Sequence, residues 1–132
     1  MGSLFLDADS DGDLDLYVVS GGYDPSVRSL YLRDRLFLNQ GKGDFVLGLP
    51  NTPDLRDSGG TVCASDFDRD GDLDLFVGGR MVSGKYPVTP ESRLLVNQGG
   101  VFSNQAETLR MVRHVPGRIF SRECPHLSLP RR

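Results

Sequence analysis

Cysteine is scarce: Cys63 and Cys124 are the only two, too few for a disulfide framework and without a CxxC spacing. They leave the redox compartment undetermined. No stretch approaches the roughly 20 apolar residues of a membrane span, and the segment after Met1 has neither a charged leader nor a long apolar run. No membrane span is expected, and no signal peptide is visible. Catalytic signatures are missing as well, with no Ser-His-Asp arrangement, phosphate-binding loop or dinucleotide fingerprint. His114 has no nucleophile pattern near it, and the Cys124-x-His126 pair has no further ligands at metal-site spacing. The chain is expected not to be an enzyme.

What is present fits one domain's worth of chain. The 132 residues are 38% hydrophobic and 25% charged with 16 Gly and 8 Pro, which describes a soluble, loop-rich chain with a modest core rather than a disordered one. The net charge of −3 is unevenly spread: residues 110–132 carry six Arg and one Glu, a local +5, which leaves −8 for residues 1–109. That basic segment has Phe120 as its one aromatic residue for stacking on bases, so a solvated, loosely ordered tail over 109–132 is expected and no nucleic-acid partner.

The chain repeats itself. Asp7 to Val18 reads DADSDGDLDLYV and Asp66 to Val77 reads DFDRDGDLDLFV, identical at nine of twelve positions with an offset of 59. Downstream, Leu36-Phe37-Leu38-Asn39-Gln40-Gly41 matches Leu94-Leu95-Val96-Asn97-Gln98-Gly99 at an offset of 58, and Gly43-Asp44-Phe45 matches Gly100-Val101-Phe102. Within each unit the hydrophobic period is two: Leu14, Leu16 and Val18 alternate with Asp15 and Tyr17, and Leu73, Leu75 and Val77 repeat the pattern. Strands are therefore expected there and at Leu4–Leu6, Leu36–Leu38, Thr61–Ala64 and Leu94–Val96, bounded by Gly, Asn, Asp and Pro. Ser26–Arg35 and Tyr86–Arg93 read as loops. Three or four short strands per 59 residues is the content of one propeller blade. Cys63 aligns with Leu4 and falls on the strand entering the second loop, where a buried structural cysteine is expected before a disulfide with Cys124.

Each acidic loop has the form D-x-D-x-D-G-x-x-D, with side-chain carboxylates at Asp7, Asp9, Asp11 and Asp15, and at Asp66, Asp68, Asp70 and Asp74. Four acids so placed suit a hard cation that takes six to eight oxygens, and calcium is the expected ion, one per loop. Gly12 and Gly71 stand where the chain must turn sharply round the ion. The residue after each Gly, Asp13 or Asp72, would supply its main-chain carbonyl, with its own carboxylate facing solvent. Without a cation the four carboxylates repel one another. With a dissociation constant of about 10⁻⁴ M, roughly millimolar calcium would stabilise each loop by about 1.4 kcal/mol.

Three rival readings fare worse. An EF-hand needs a bidentate acid at the twelfth position, which here is Val18 or Val77 inside an alternating strand. Plain solvated acidic turns would not repeat with Gly and ligand spacing intact. Glycosidic acid and base chemistry needs two carboxyls in different environments facing a cleft, whereas these crowd one hairpin.

These residues resemble the FG-GAP or VCBS repeat family, the blades of integrin α-like and cartilage-acidic-protein-like propellers. The loops DADSDGDLD and DFDRDGDLD carry the resemblance, supported by LFLNQGKGDF and LLVNQGGVF, over roughly residues 3–108. It implies an all-β fold of two antiparallel blades, 1–59 with a truncated start and 60–108, from an incomplete integrin α-type β-propeller. It also implies two Ca²⁺ sites, held by Asp7, Asp9, Asp11, Asp13 (main chain) and Asp15, and by Asp66, Asp68, Asp70, Asp72 (main chain) and Asp74. Family members typically act in adhesion or ligand binding outside the cytoplasm, so an extracellular or periplasmic location and a protein or carbohydrate ligand are expected. The remaining blades would come from the same or another chain. Accessory blades of a larger secreted enzyme are the alternative. The Phe-Gly-Gly-Ala-Pro signature is absent; Gly21-Gly22 and Gly78-Gly79 follow the strand after each loop, where close packing would require small residues.

Overall fold

The computed structural model of this chain describes residues 2–22, 30–82, 84–85 and 87–105. The tail over 109–132, with His114, Phe120, His126 and Cys124, and any Cys63–Cys124 bridge, lies outside the described residues. Among them there is no α-helix, and none long and apolar enough to cross a membrane.

The fold is all-β. Strands β1 (Ser3–Leu6), β2 (Asp15–Val18), β3 (Arg35–Asn39) and β4 (Phe45–Leu47) form one antiparallel sheet in chain order. Strands β5 (Ser58–Ser65), β6 (Asp74–Met81), β7 (Arg93–Gln98) and β8 (Val101–Asn104) form a second in the same order. Every expected strand is present. The two outer strands, β4 and β8, follow from turn chemistry more than from hydrophobic runs. Gln98 pairs with Val101 across Gly99 and Gly100 at φ 61° and 89°, the positive pair that a two-residue hairpin turn demands.

The segments read as loops before β3 and β7 are partly ordered. Leu30–Leu32 makes one turn of 3₁₀ helix, and Arg35 and Arg93 already open their strands; residues 26–29 and 86 lie outside the described residues. Gly78 and Gly79 do not follow a strand; they lie inside β6, which runs on to Met81. The extension is possible because β5 shifts register between Ser58 and Val62, and Gly79 fits where an added Cβ would collide with the main-chain oxygen of Glu91.

The sheets stack face to face, and the core lies between them. From the first sheet come Leu6, Ala8, Tyr17, Val19 and Leu36; from the second come Leu75, Val77, Leu95 and Phe102. Fully burying a Leu or Val of this kind contributes roughly 1.5–3 kcal/mol each. The repeated strand uses opposite faces in its two copies. In β6, Leu75 and Val77 are buried in the interface, whereas in β2 it is Tyr17 that turns inward and the counterparts Leu16 and Val18 that face outward, half-buried. Tyr17 packs its ring at 6.4 Å from that of Phe102.

A charged cluster closes the same interface. Tyr17 donates its hydroxyl to Asp34 at 3.1 Å, the Ser20 N–H donates to Asp34 at 2.7 Å, and Arg93 of the second sheet lies 3.8 Å from Asp34. Arg93 also donates to Asp57 at 2.7 Å. Burial raises the Asp34 carboxyl above its ordinary pKa, with the Ser20 N–H and the Arg93 charge opposing it. Burial and the Asp34 charge likewise push the Tyr17 phenol up.

Candidate metal centres

Each acidic loop runs from the end of the first strand of a sheet to the start of the second, and the two share one pattern of backbone-to-carboxylate hydrogen bonds. In the first, Asp7 accepts from the N–H groups of Asp11 and Gly12, both at 3.1 Å, and Asp11 accepts from Asp13 N–H at 2.8 Å. In the second, Asp66 accepts from Asp70 and Gly71, both at 3.1 Å, and Asp70 accepts from Asp72 N–H at 2.9 Å. Gly12 and Gly71 have φ of 94° and 99°, the left-handed turn expected of them. The loop's fourth residue is left-handed too, Ser10 at 62° and Arg69 at 63°, a strained conformation for a side chain that no residue preference announces.

Carboxylates converge in both loops. One oxygen from each of Asp7, Asp9 and Asp11 lies within 4.8 Å of the others, and so does one from each of Asp66, Asp68 and Asp74. Ligands at about 2.4 Å on opposite sides of a calcium ion would be about 4.8 Å apart, so the three oxygens of each set are close enough to share one hard cation. The acids crowd electrostatically as well. Burial, then the charges of Asp15, Asp11 and Asp7, raises Asp9; burial raises Asp68, with a further push from Asp70 and Asp74. A cation would relieve that repulsion, and the all-oxygen donor set fits calcium.

Asp15 and Asp74 do something the spacing did not announce. Both are buried, at 0% and 1% exposure. Asp15 accepts from the N–H groups of Ala8 and Asn39, each at 2.8 Å, and Asp74 from those of Phe67 at 2.7 Å and Asn97 at 2.9 Å. Each therefore staples its loop to the third strand of its sheet. Asp13 is exposed as expected, but Asp72 is not turned to solvent: its carboxylate accepts from Gly99 N–H at 2.9 Å and from the Ser10 hydroxyl at 3.3 Å. The second β-hairpin and the first loop both reach it.

Asn39 and Asn97, quoted in the repeat but given no role, complete the loops. Asn39 donates to the Leu14 carbonyl at 3.2 Å and accepts from Gly41 N–H at 3.0 Å. Asn97 does the same with Leu73 at 3.2 Å and Gly100 at 2.9 Å, and adds a bond to the Ala8 carbonyl of the first loop at 2.8 Å. The signal was their identical placement before Gly in both units. Cys63 lies on β5, the strand that leads into the second loop, and is half-buried rather than buried as expected.

Comparison with known proteins agrees with the repeat. A family model described as FG-GAP-like repeat matches residues 7–77, more than half of the chain, from the first acidic loop through the second and into β6. No curated protein and no solved structure matches the chain.

Proposed function

The chain belongs to the FG-GAP-like repeat family, whose repeats form propeller blades, and from that premise we propose that it is a non-enzymatic module in which each blade holds one structural calcium ion. The main support is the convergence of Asp7, Asp9 and Asp11, and of Asp66, Asp68 and Asp74, close enough for each set to share one hard cation. On this reading the main-chain carbonyls of Asp13 and Asp72 and the carboxylates of Asp15 and Asp70 fill the remaining positions. The ions would hold each loop closed against its own charge, and so fix the hairpins that flank it. Adhesion or ligand binding outside the cytoplasm, with a protein or carbohydrate partner and further blades alongside, is the role proposed for the assembled module. Calcium calorimetry on the native chain and on an Asp11→Ala, Asp70→Ala double variant tests the metal. Two saturable sites lost in the variant are expected; no heat at millimolar calcium would sink the proposal.

A further inference from the structure

A hydrogen-bonded path runs from one acidic loop to the other. It begins at Asp74, one of the three converging acids of the second loop, whose carboxylate accepts the Asn97 N–H at 2.9 Å. The Asn97 side-chain amide donates in turn to the Ala8 carbonyl at 2.8 Å, and the Ala8 N–H donates to Asp15 at 2.8 Å. Ala8 stands between Asp7 and Asp9, two of the converging acids of the first loop. All four residues on the path are at most 1% exposed, so bulk water does not compete for these bonds. A second contact lies at the surface, where the exposed Ser10 donates its hydroxyl to Asp72 at 3.3 Å. Gly100, in the hairpin that follows Asn97, fits against the first loop so closely that an added Cβ would lie 2.9 Å from Asp9 Cβ.

We infer that the two loops bind calcium cooperatively, and that Asn97 is the positioning residue through which occupancy of one loop is felt by the other. The inference rests on the calcium reading of both loops. Mutual repulsion among its carboxylates works to open an empty loop. An ion in the second loop holds Asp74 in place, and with it Asn97, whose amide then fixes the Ala8 peptide between Asp7 and Asp9. The conformational entropy of ordering that segment has then been lost before the first loop's ion arrives, and the affinity for that ion rises accordingly. Linkage makes the effect mutual, so an ion in the first loop raises the affinity of the second by the same factor. Repulsion between two bound dications opposes this. Each loop carries five aspartates, however, and remains net negative with an ion in place. Salt also screens the longer-range repulsion more than it weakens buried hydrogen bonds. Contact therefore outweighs charge, and the coupling is positive.

Calorimetry with calcium alone tests it on three chains: the native one, Asp66→Ala to disable the second loop, and Asp7→Ala to disable the first. Neither residue is on the path through Asn97. The product of the two native binding constants should exceed the product of the two single-site constants by about fivefold or more. With Asn97→Ala added to all three chains that ratio should fall to about one, a change that loss of stability alone would not produce. Asn39→Ala, which cuts bonds within the first sheet, should weaken the first site and leave the ratio unaltered. Ser10→Ala keeps the test open if Asn97→Ala does not fold: Ser10 is exposed and outside both proposed ligand sets, and its loss should still lower the ratio. A native ratio of about one, or a ratio that neither Asn97→Ala nor Ser10→Ala lowers, overturns the inference and leaves the calcium reading intact. Absence of heat in the native chain at millimolar calcium overturns that reading and the inference with it.

Discussion

The side-chain amide of Asn97 donates to the main-chain oxygen of Ala8, 2.8 Å away in the neighbouring sheet. Ala8 follows Asp7, so the turn of the second sheet grips the first acidic loop at its root. The same amide holds Leu73 at 3.2 Å, and the Asn97 N–H reaches Asp74 at 2.9 Å. One residue thereby links both loops.

Asn97→Ala removes the side-chain bonds to Ala8, Leu73 and Gly100 from a buried site, and at 0.5–1.5 kcal/mol for each bond should cost about 2–4 kcal/mol. Asn39→Ala, which loses bonds within its own sheet only and from a more exposed site, should cost about half as much. Urea unfolding midpoints of the two variants compare them. Equal losses would refute the role of Asn97 as a link between sheets.

Asp74 and Asp70 should part company when calcium is removed. Asp74→Asn places an amide group where two N–H groups need an acceptor, and should destabilise by about 1–3 kcal/mol with or without the ion. The exposed Asp70, changed to Asn, should leave the metal-free chain's stability nearly unaltered and weaken only calcium binding. Thermal melts in chelator and in millimolar calcium separate these effects, and a calcium-dependent loss for Asp74→Asn alone would contradict the buried staple.

The pH dependence should change sign with calcium. Asp9, Asp34 and Asp68 are all held above the ordinary carboxyl pKa of 3.8. Between that value and their raised ones the folded chain keeps protons that the unfolded chain releases. Their contribution is thus fully present below 3.8 and is lost as pH rises through the raised values. In chelator, stability from these groups should fall as pH rises above 3.8, and Asp34→Asn should flatten part of that fall. Calcium requires the ionised carboxylates, so in its presence the slope should rise with pH instead. Denaturant midpoints across this range, showing the same slope in both conditions, would disprove the coupling.

Gly59 leaves no room for a side chain, since an added Cβ would run into Val19 Cγ1 where the Gly59 N–H donates to the Ser20 oxygen at 3.0 Å. Gly59→Ala should therefore cost about 1–3 kcal/mol through overpacking at the joint between the sheets. Val19→Ala in the same chain should relieve part of it, visible as a non-additive double-mutant cycle. Additive losses would mean that the joint yields in some other way.

The sequence by itself determined the repeat, the strands and the loops. Alternation around Leu16 and Leu75, the Asp spacing and Gly12 and Gly71 are local signals, set by strand pleat and by backbone sterics, and they persist unchanged in the folded chain. Its limit appears at Tyr17 and Phe76, and at Leu16 and Leu75. These are matched positions in near-identical segments, yet opposite faces meet the interface, because burial depends on which sheet lies alongside and no local pattern encodes that. The same reason hid Asp15 and Asp74, which look like four-acid-loop ligands but are also acceptors for strands 23–24 residues away. It hid the Asp34–Arg93 pair, where two ordinary surface residue types become buried partners only once two sheets stack. Spacing along the chain wrote the acidic loops; packing across the sheets decided which of their residues are staples, which face is core and which remains open.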